Sequence, residues 1–170
     1  MNQASLIPVN GTAVNWYVWL FLANTGLRRS ELLNLDWSNI QDNTIHIVST
    51  EAKRTKSGKW RPVPLSEGAQ YALNRFGKHF GNKKKTGLIY TSTAPSLSRA
   101  FSRVLKRSEI QTPHGSLHSL RHSFCSHLVM SGVDLTTVQR LAGHSTSKVT
   151  EQYAHLAPDH LEQSTSRLDL

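Results

Sequence analysis

SLHSLRHSFCSHLVMSGVDLTTVQRLAGHSTSKVTEQYAHL, residues 116–156, punctuates itself into three consecutive helices. Leu120, Phe124 and Leu128 recur at i, i+4 and i+8, a stripe inside a helix from Leu117 to Met130. Gly132 is a good stop for it. Asp134 stands where it can cap the next helix, whose apolar positions are Leu135, Val138 and Leu141. Gly143 ends that helix, and another carrying Val149 and Tyr153 runs toward Pro158. His118 and Arg121, at i and i+3, share a face of the first helix while Leu120 and Phe124 face the core. A helix anchored in this way holds a histidine and an arginine rigidly toward a cleft. His144 and Tyr153 follow, nine residues apart behind a glycine turn.

Upstream, Val14 to Asn24 is apolar nearly all round, as suits a helix deep in the core, and Thr25-Gly26 ends it. Helical spacing resumes from Leu27 to Leu35. LDWSNIQDNTIHIVST alternates around an Asp42-Asn43 turn and predicts two short strands. TEAKRTKSGKWRPVPL predicts a β-hairpin with a basic tip at Lys56-Ser57-Gly58, and Pro62 and Pro64 mark an edge strand. Ser66 to Phe76 predicts a helix, followed by a polar Lys/Gly-rich loop. Leu88 to Tyr90 is either a short strand or a buried connector. Ser96 to Arg107 places Leu97, Phe101, Val104 and Leu105 at helical spacing, with basic residues on other faces. The whole is an α+β domain, mostly helical with a small antiparallel sheet.

At 170 residues the chain is one domain, or a compact domain with a tail. Lys and Arg number 20 against 11 Asp and Glu, a net charge of +9, so an anionic partner is expected. Nucleic acid is the commonest such partner, although membrane phosphates attract the same residues. The basic residues form separate clusters (Arg28-Arg29, Lys53 to Arg61, Lys83 to Lys85, Arg103 to Arg107), unlike a solvated tail. The single cysteine, Cys125, excludes an intramolecular disulfide and a cysteine-rich zinc site, and fits a reducing compartment. The N-terminus has no signal-peptide pattern, and the longest apolar run, Trp16 to Ala23, is too short to span a bilayer.

Each candidate chemical group has a bland reading when taken alone. An Arg28/Glu31 pair at i, i+3 is usually a surface salt bridge. A lysine on a glycine turn is usually just solvated. His118 and His122 have the i, i+4 spacing of zinc ligands, but position 119 is serine rather than a general-base glutamate, and no third ligand is apparent. The ordered set Arg28, Lys56, His118, Arg121, His144 and Tyr153 is harder to dismiss. Arginines offer paired donors to phosphate oxygens and keep their charge. Histidines and a lysine supply hydrogen bonds and proton transfer, and tyrosine is a possible covalent nucleophile. No carboxylate cluster suggests a metal ion.

At these residues the chain resembles the catalytic domain of the tyrosine recombinase, or phage integrase, family. TGLRRSELLNLDW is similar to that family's first arginine box, TKSGKWRPVPL to its lysine hairpin, and the 116–156 stretch to its C-terminal boxes. The match runs from about residue 14 to 156. Lys56 is matched ahead of Lys53 and Lys59 because it lies eight residues before Pro64 and directly before the Ser57-Gly58 tip.

The resemblance implies a site-specific DNA recombinase that works through a 3′-phosphotyrosyl intermediate, with Tyr153 as nucleophile and no ATP, metal or other cofactor. Arg28, Arg121 and His144 would stabilise the phosphorane, His118 would be a base or phosphate donor, Lys56 the general acid, and Glu31 a support for the arginines. Double-stranded DNA is the implied partner, with Arg99, Arg103, Lys106 and Arg107 lying along a groove, against the alternative of a solvated face. A single catalytic domain over 1–170 is expected, with a core over 14–156 and an N-terminal core-binding domain absent. The 157–170 tail, through Leu161 and Leu168, is expected to reach a neighbouring protomer in a DNA-bound tetramer, in the cytoplasm of a bacterium. Two rival readings stay open: a type IB topoisomerase-like enzyme, and a DNA-binding fragment with little activity.

Overall fold

The computed structural model describes residues 12–48, 60–79, 86–108 and 115–158, in two compact units that divide at Phe124/Cys125. The α+β expectation holds: helices dominate, with one small antiparallel sheet.

The first unit is built on α1 (Thr12–Thr25). Its apolar surface is divided between two partners. Phe21 meets Phe76 of α3 (Glu67–His79) edge-on, with ring centroids 5.3 Å apart. Trp19 meets Phe101 of α4 (Ala94–Ser108) at 5.4 Å. A helix that packs on two sides needs apolar residues around most of its circumference, which is why α1 shows so little amphipathic bias. Trp16 is the exception and is exposed. Gly26, at φ +63°, turns the chain into α2 (Arg29–Leu33).

The sheet has three strands in the order β1 (Ile40–Gln41), β2 (Thr44–Val48), β3 (Trp60–Pro64). Asp42 and Asn43, both at positive φ, make the turn from β1 to β2, a conformation their short polar side chains tolerate. The sequence suggested a separate hairpin after this pair. Instead β2 serves both neighbours, with Ile45 opposite Val63 and His46 opposite Pro62. Pro62 and Pro64 have the same parity, so their missing N–H groups lie on the open side of β3, as expected of an edge strand. On the inward parity Val63 is buried and Arg61 half-buried. The tip with Lys53, Lys56 and Lys59 lies outside the described residues. Leu88–Tyr90 is a connector: it makes one bridge, Leu88 to Asp36, and buries Ile89 and Tyr90.

Helix α5 (His118–Met130) departs from the expected face. Leu120 and Leu128 are only half-buried; the buried positions are Arg121, Phe124, Cys125 and Val129. An arginine occupies a core-facing position, and apolar periodicity cannot register it. In the second unit Asp134 caps α6 (Leu135–Ala142), accepting from Thr137 N–H at 2.8 Å. Those hydrogen bonds from Thr137 hold the Asp134 carboxyl below its ordinary range. Gly143 closes α6 in the left-handed conformation at φ 68°. The following helix, α7, is shorter than expected (Lys148–Glu151) and does not include Tyr153. The tyrosine N–H bonds the Thr150 carbonyl three residues back, so the chain has already tightened into a turn before a 3-10 segment at Ala154–Leu156.

Candidate functional site

Glu31 organises one wall of the first unit. It sits at the third position of α2 and reaches back to accept the Arg28 backbone N–H at 2.7 Å, the return half of a capping box. Its carboxylate also takes Arg28 Nη1 at 3.1 Å. From β3, Arg61 closes a bidentate pair: Nη1 and Nη2 each lie 2.8 Å from one carboxylate oxygen. The Glu31 side chain is 4 % exposed and that of Arg61 12 %, whereas Arg28 keeps 35 %. Burial pushes the Glu31 carboxyl up; the hydrogen bond and charge of Arg61, with the N–H and charge of Arg28, outweigh it and hold the group below the ordinary range. The i, i+3 pair is therefore no surface salt bridge. Glu31 is a buried anion with two cations, one largely enclosed and one facing outward.

Arg28, His118 and Arg121 line one cleft of about 350 Å³, together with Arg29, Ser98 and Ser102. Arg121 enters from α5 almost fully buried and donates from Nη1 to the Gly26 carbonyl at 2.7 Å. His118, the first residue of α5, is exposed; its backbone N–H is held by Ser116 Oγ at 3.3 Å. The His118 and His122 rings meet edge to face at 4.7 Å. Arg29 Nη1 bonds Ser98 Oγ at 2.9 Å. Three guanidiniums and an imidazole from stretches some ninety residues apart thus converge on one concavity, an arrangement suited to a phosphate ester.

In the second unit, His144 and Tyr153 share a neighbour, Thr150. Its hydroxyl lies 2.8 Å from His144 Nδ1, and its carbonyl accepts the Tyr153 N–H at 3.0 Å. Thr150 is fully buried and Tyr153 is 6 % exposed, while His144 is half-buried. If the threonine hydroxyl donates to Nδ1, the imidazole keeps its proton on Nε2, where it can donate outward.

Arg99, Arg103 and Lys106 follow one another at i, i+4, i+7 along the exposed face of α4 and line a groove of about 600 Å³ with Ser96, Ser98 and Ser102. Arg107 is exposed one turn beyond Arg103. Of the residues singled out in the sequence, Arg28, Glu31, His118 and Arg121 come together in the first unit, and His144 and Tyr153 meet through Thr150 in the second. Lys56 lies outside the described residues, as do Leu161 and Leu168. Two residues were missed. Arg61 had a signal: a charged residue on the inward parity of a strand needs a partner. Thr150 had none beyond its place between His144 and Tyr153. Among the described residues, no helix is long and apolar enough to cross a membrane, and no three His, Cys, Asp or Glu side chains are grouped to hold a metal ion.

The structure superposes on the catalytic domain of the bacteriophage HP1 integrase with a TM-score of 0.67 and 32 % identity, covering 91 % of this chain and 82 % of that one. It also matches the Tn1549 transposon integrase in complex with transposon right-end DNA (TM-score 0.73, 92 % and 59 % of the chains); at 22 % identity that likeness carries the fold alone. The fold is that of a tyrosine recombinase catalytic domain. The chain belongs to the phage integrase family, whose model matches residues 9–160. It is 34 % identical over 141 residues to the integrase of Haemophilus phage HP1 (strain HP1c1), covering 82 % of this chain and 36 % of that protein. It is 34 % identical over 176 residues to the tyrosine recombinase XerD of Rickettsia bellii (strain RML369-C), covering 93 % and 56 %. The chain spans 36 % to 41 % of the length of the first three relatives, all phage integrases.

Proposed function

We propose that this chain is the catalytic domain of a site-specific DNA recombinase that cuts and rejoins double-stranded DNA through Tyr153. The observation that carries the reading is the convergence of Arg28, His118 and Arg121 on one cleft, with Glu31 ionised behind it. Fixed cations set where a phosphodiester gains charge stabilise the pentacoordinate phosphorus more than the ground state. In this mechanism the Tyr153 oxygen attacks phosphorus in line, giving its proton to a base, for which His118 is suited. The bond from phosphorus to the 5′-oxygen breaks, and that oxygen takes a proton from Lys56. The product is a 3′-phosphotyrosyl ester and a free 5′-hydroxyl, and attack by another strand's 5′-hydroxyl reverses the step. Arg28, Arg121 and the His144 Nε2–H hold the non-bridging oxygens. Loss of one such donor lowers the rate by about a hundredfold or more.

The reading extends to duplex held along Arg99, Arg103, Lys106 and Arg107, supported by the net charge of +9. It also includes catalysis without a metal ion, a homotetramer on DNA in the full-length protein, and action in the bacterial cytoplasm, where the substrate DNA lies. The test is a nicked suicide duplex incubated with the chain and run on a denaturing gel. A covalent adduct that persists in EDTA and disappears in Tyr153→Phe is expected. An adduct that survives Tyr153→Phe sinks the mechanism, and loss of the adduct in EDTA sinks its metal independence.

A further inference from the structure

We propose that Arg61 is a positioning residue for strand cleavage, acting through Glu31 to fix both the main chain and the guanidinium of Arg28. The inference rests on the recombinase reading and adds to it a residue outside the catalytic set.

Each link in the relay is a short polar contact with a defined direction. Arg61 forks onto both Glu31 oxygens at 2.8 Å. The same two oxygens then serve Arg28 twice, one taking its backbone N–H at 2.7 Å and the other its Nη1 at 3.1 Å. A carboxylate with two loosely held oxygens can rotate about its terminal torsion, which has no sharp minima. A bidentate guanidinium removes that freedom, because its fork matches the carboxylate plane. Arg28, about a third exposed, is the member of the chain that faces the cleft, and Arg61, 12 % exposed, is enclosed. Arg61 does not line the cleft, and its fork onto Glu31 connects it to Arg28, which does.

Arg61 also belongs to the edge strand of the sheet, whereas Arg28 caps a helix. Without the fork, Glu31 keeps the Arg28 contacts but loses the pair that sets its plane, and a displacement of about 1 Å at a phosphate clamp costs about a hundredfold in rate. Lysine is a poor substitute, since a single ammonium cannot present two parallel donors.

The experiment measures single-turnover adduct formation by the chain on the suicide duplex at saturating protein, with duplex affinity from fluorescence anisotropy and folding from thermal denaturation. Arg61→Gln is expected to slow cleavage about tenfold to a hundredfold with affinity within about twofold, and Arg61→Lys to recover less than half of the loss on a logarithmic scale. Because Arg61→Gln strands a buried carboxylate, the double variant Glu31→Gln/Arg61→Gln is included; it refolds the pair as neutral amides and is expected to stay slow. A duplex whose 5′-bridging oxygen is replaced by sulfur leaves as a thiolate and needs no acid. The Arg61→Gln defect is expected to persist on it, as befits a lost phosphate clamp. Wild-type cleavage rates in folded Arg61→Gln or in the double variant, or full rescue by the sulfur substrate, overturn the proposal. A wild-type chain that forms no adduct overturns the recombinase reading beneath it, a result distinct from both.

Discussion

Arg121 Nη1 donates to the carbonyl of Gly26 across 95 residues of sequence, at 2.7 Å, with the donor side chain almost fully buried. The next turn of α5 touches the same place: a Cβ on Gly26 would lie 2.3 Å from Phe124 Cδ1. The tight turn before α2 is therefore gripped by an arginine and an aromatic ring three residues apart on one helix. Gly26→Ala meets two penalties. The left-handed backbone at φ +63° costs an L residue about 1–2 kcal/mol, and the clash with the ring about 1–3 kcal/mol. Urea denaturation is expected to show a loss of about 2–5 kcal/mol, and Gly26→Ala/Phe124→Leu to regain only the clash portion. Gly26→Ala within about 0.5 kcal/mol of the parent contradicts this account.

Glu31 makes stability depend on pH in a defined direction. Its folded carboxyl sits below the ordinary value of 4.5, because the hydrogen bonds and charges of Arg61 and Arg28 outweigh burial. A group depressed by folding contributes fully above its unfolded value, and that contribution is lost as pH falls through the folded value. The unfolding free energy should therefore rise with pH below 4.5 and be flat above it as far as Glu31 is concerned. Glu31→Gln removes this part of the acid slope. At pH 7 it costs about 3 kcal/mol, since the enclosed Arg61 loses the Glu31 carboxylate it forks onto. The gap between the two proteins should narrow toward pH 3. A gap of constant size across the acid range shows that Glu31 is not the titrating group.

Much of the fold was legible because it depends on local signals. The Asp42-Asn43 turn, the prolines of β3, the Asp134 cap and Gly143 each act within a few residues, and each does what its chemistry predicts. Two of the differences share a cause. Arg121 and Arg61 face inward because partners 95 and 30 residues away receive them. Strand parity signals that Arg61 needs a partner, but no local window names either partner, so the α5 stripe was placed one position off. Tyr153 left its expected helix for a local reason: the carbonyl of buried Thr150, three residues back, takes its N–H in a tightened turn. The basic residues at the hairpin tip lie beyond the described residues, so Lys56 rests on the sequence alone.

Thr150 joins the two residues assigned to the second unit, and this gives it a measurable role. If its hydroxyl donates to His144 Nδ1, 2.8 Å away, the imidazole proton is held on Nε2. Thr150→Val keeps the shape and removes the hydroxyl. The expected stability cost is about 1 kcal/mol, the usual worth of one such hydrogen bond. Cleavage should fall by about tenfold, because His144 loses both its orientation and its tautomer preference. Nitrogen chemical shifts of the His144 ring should move from one dominant tautomer toward a mixture. An unchanged tautomer ratio with unchanged cleavage removes Thr150 from the mechanism.

The exposed face of α4 separates two readings of its basic residues. If Arg99, Arg103 and Lys106 contact DNA phosphates, each releases counterions on binding. The slope of log affinity against log salt is then about −0.9 per contact for duplex. Replacing one of them by alanine should shallow that slope by about 0.9 and weaken binding equally across duplex sequences. The triple variant should lose close to three such increments. Because all three side chains are exposed, thermal unfolding should stay near that of the parent, which separates lost contacts from lost structure. A triple variant that retains the parent's salt slope assigns these residues to solvent and moves the duplex to another face of the protein.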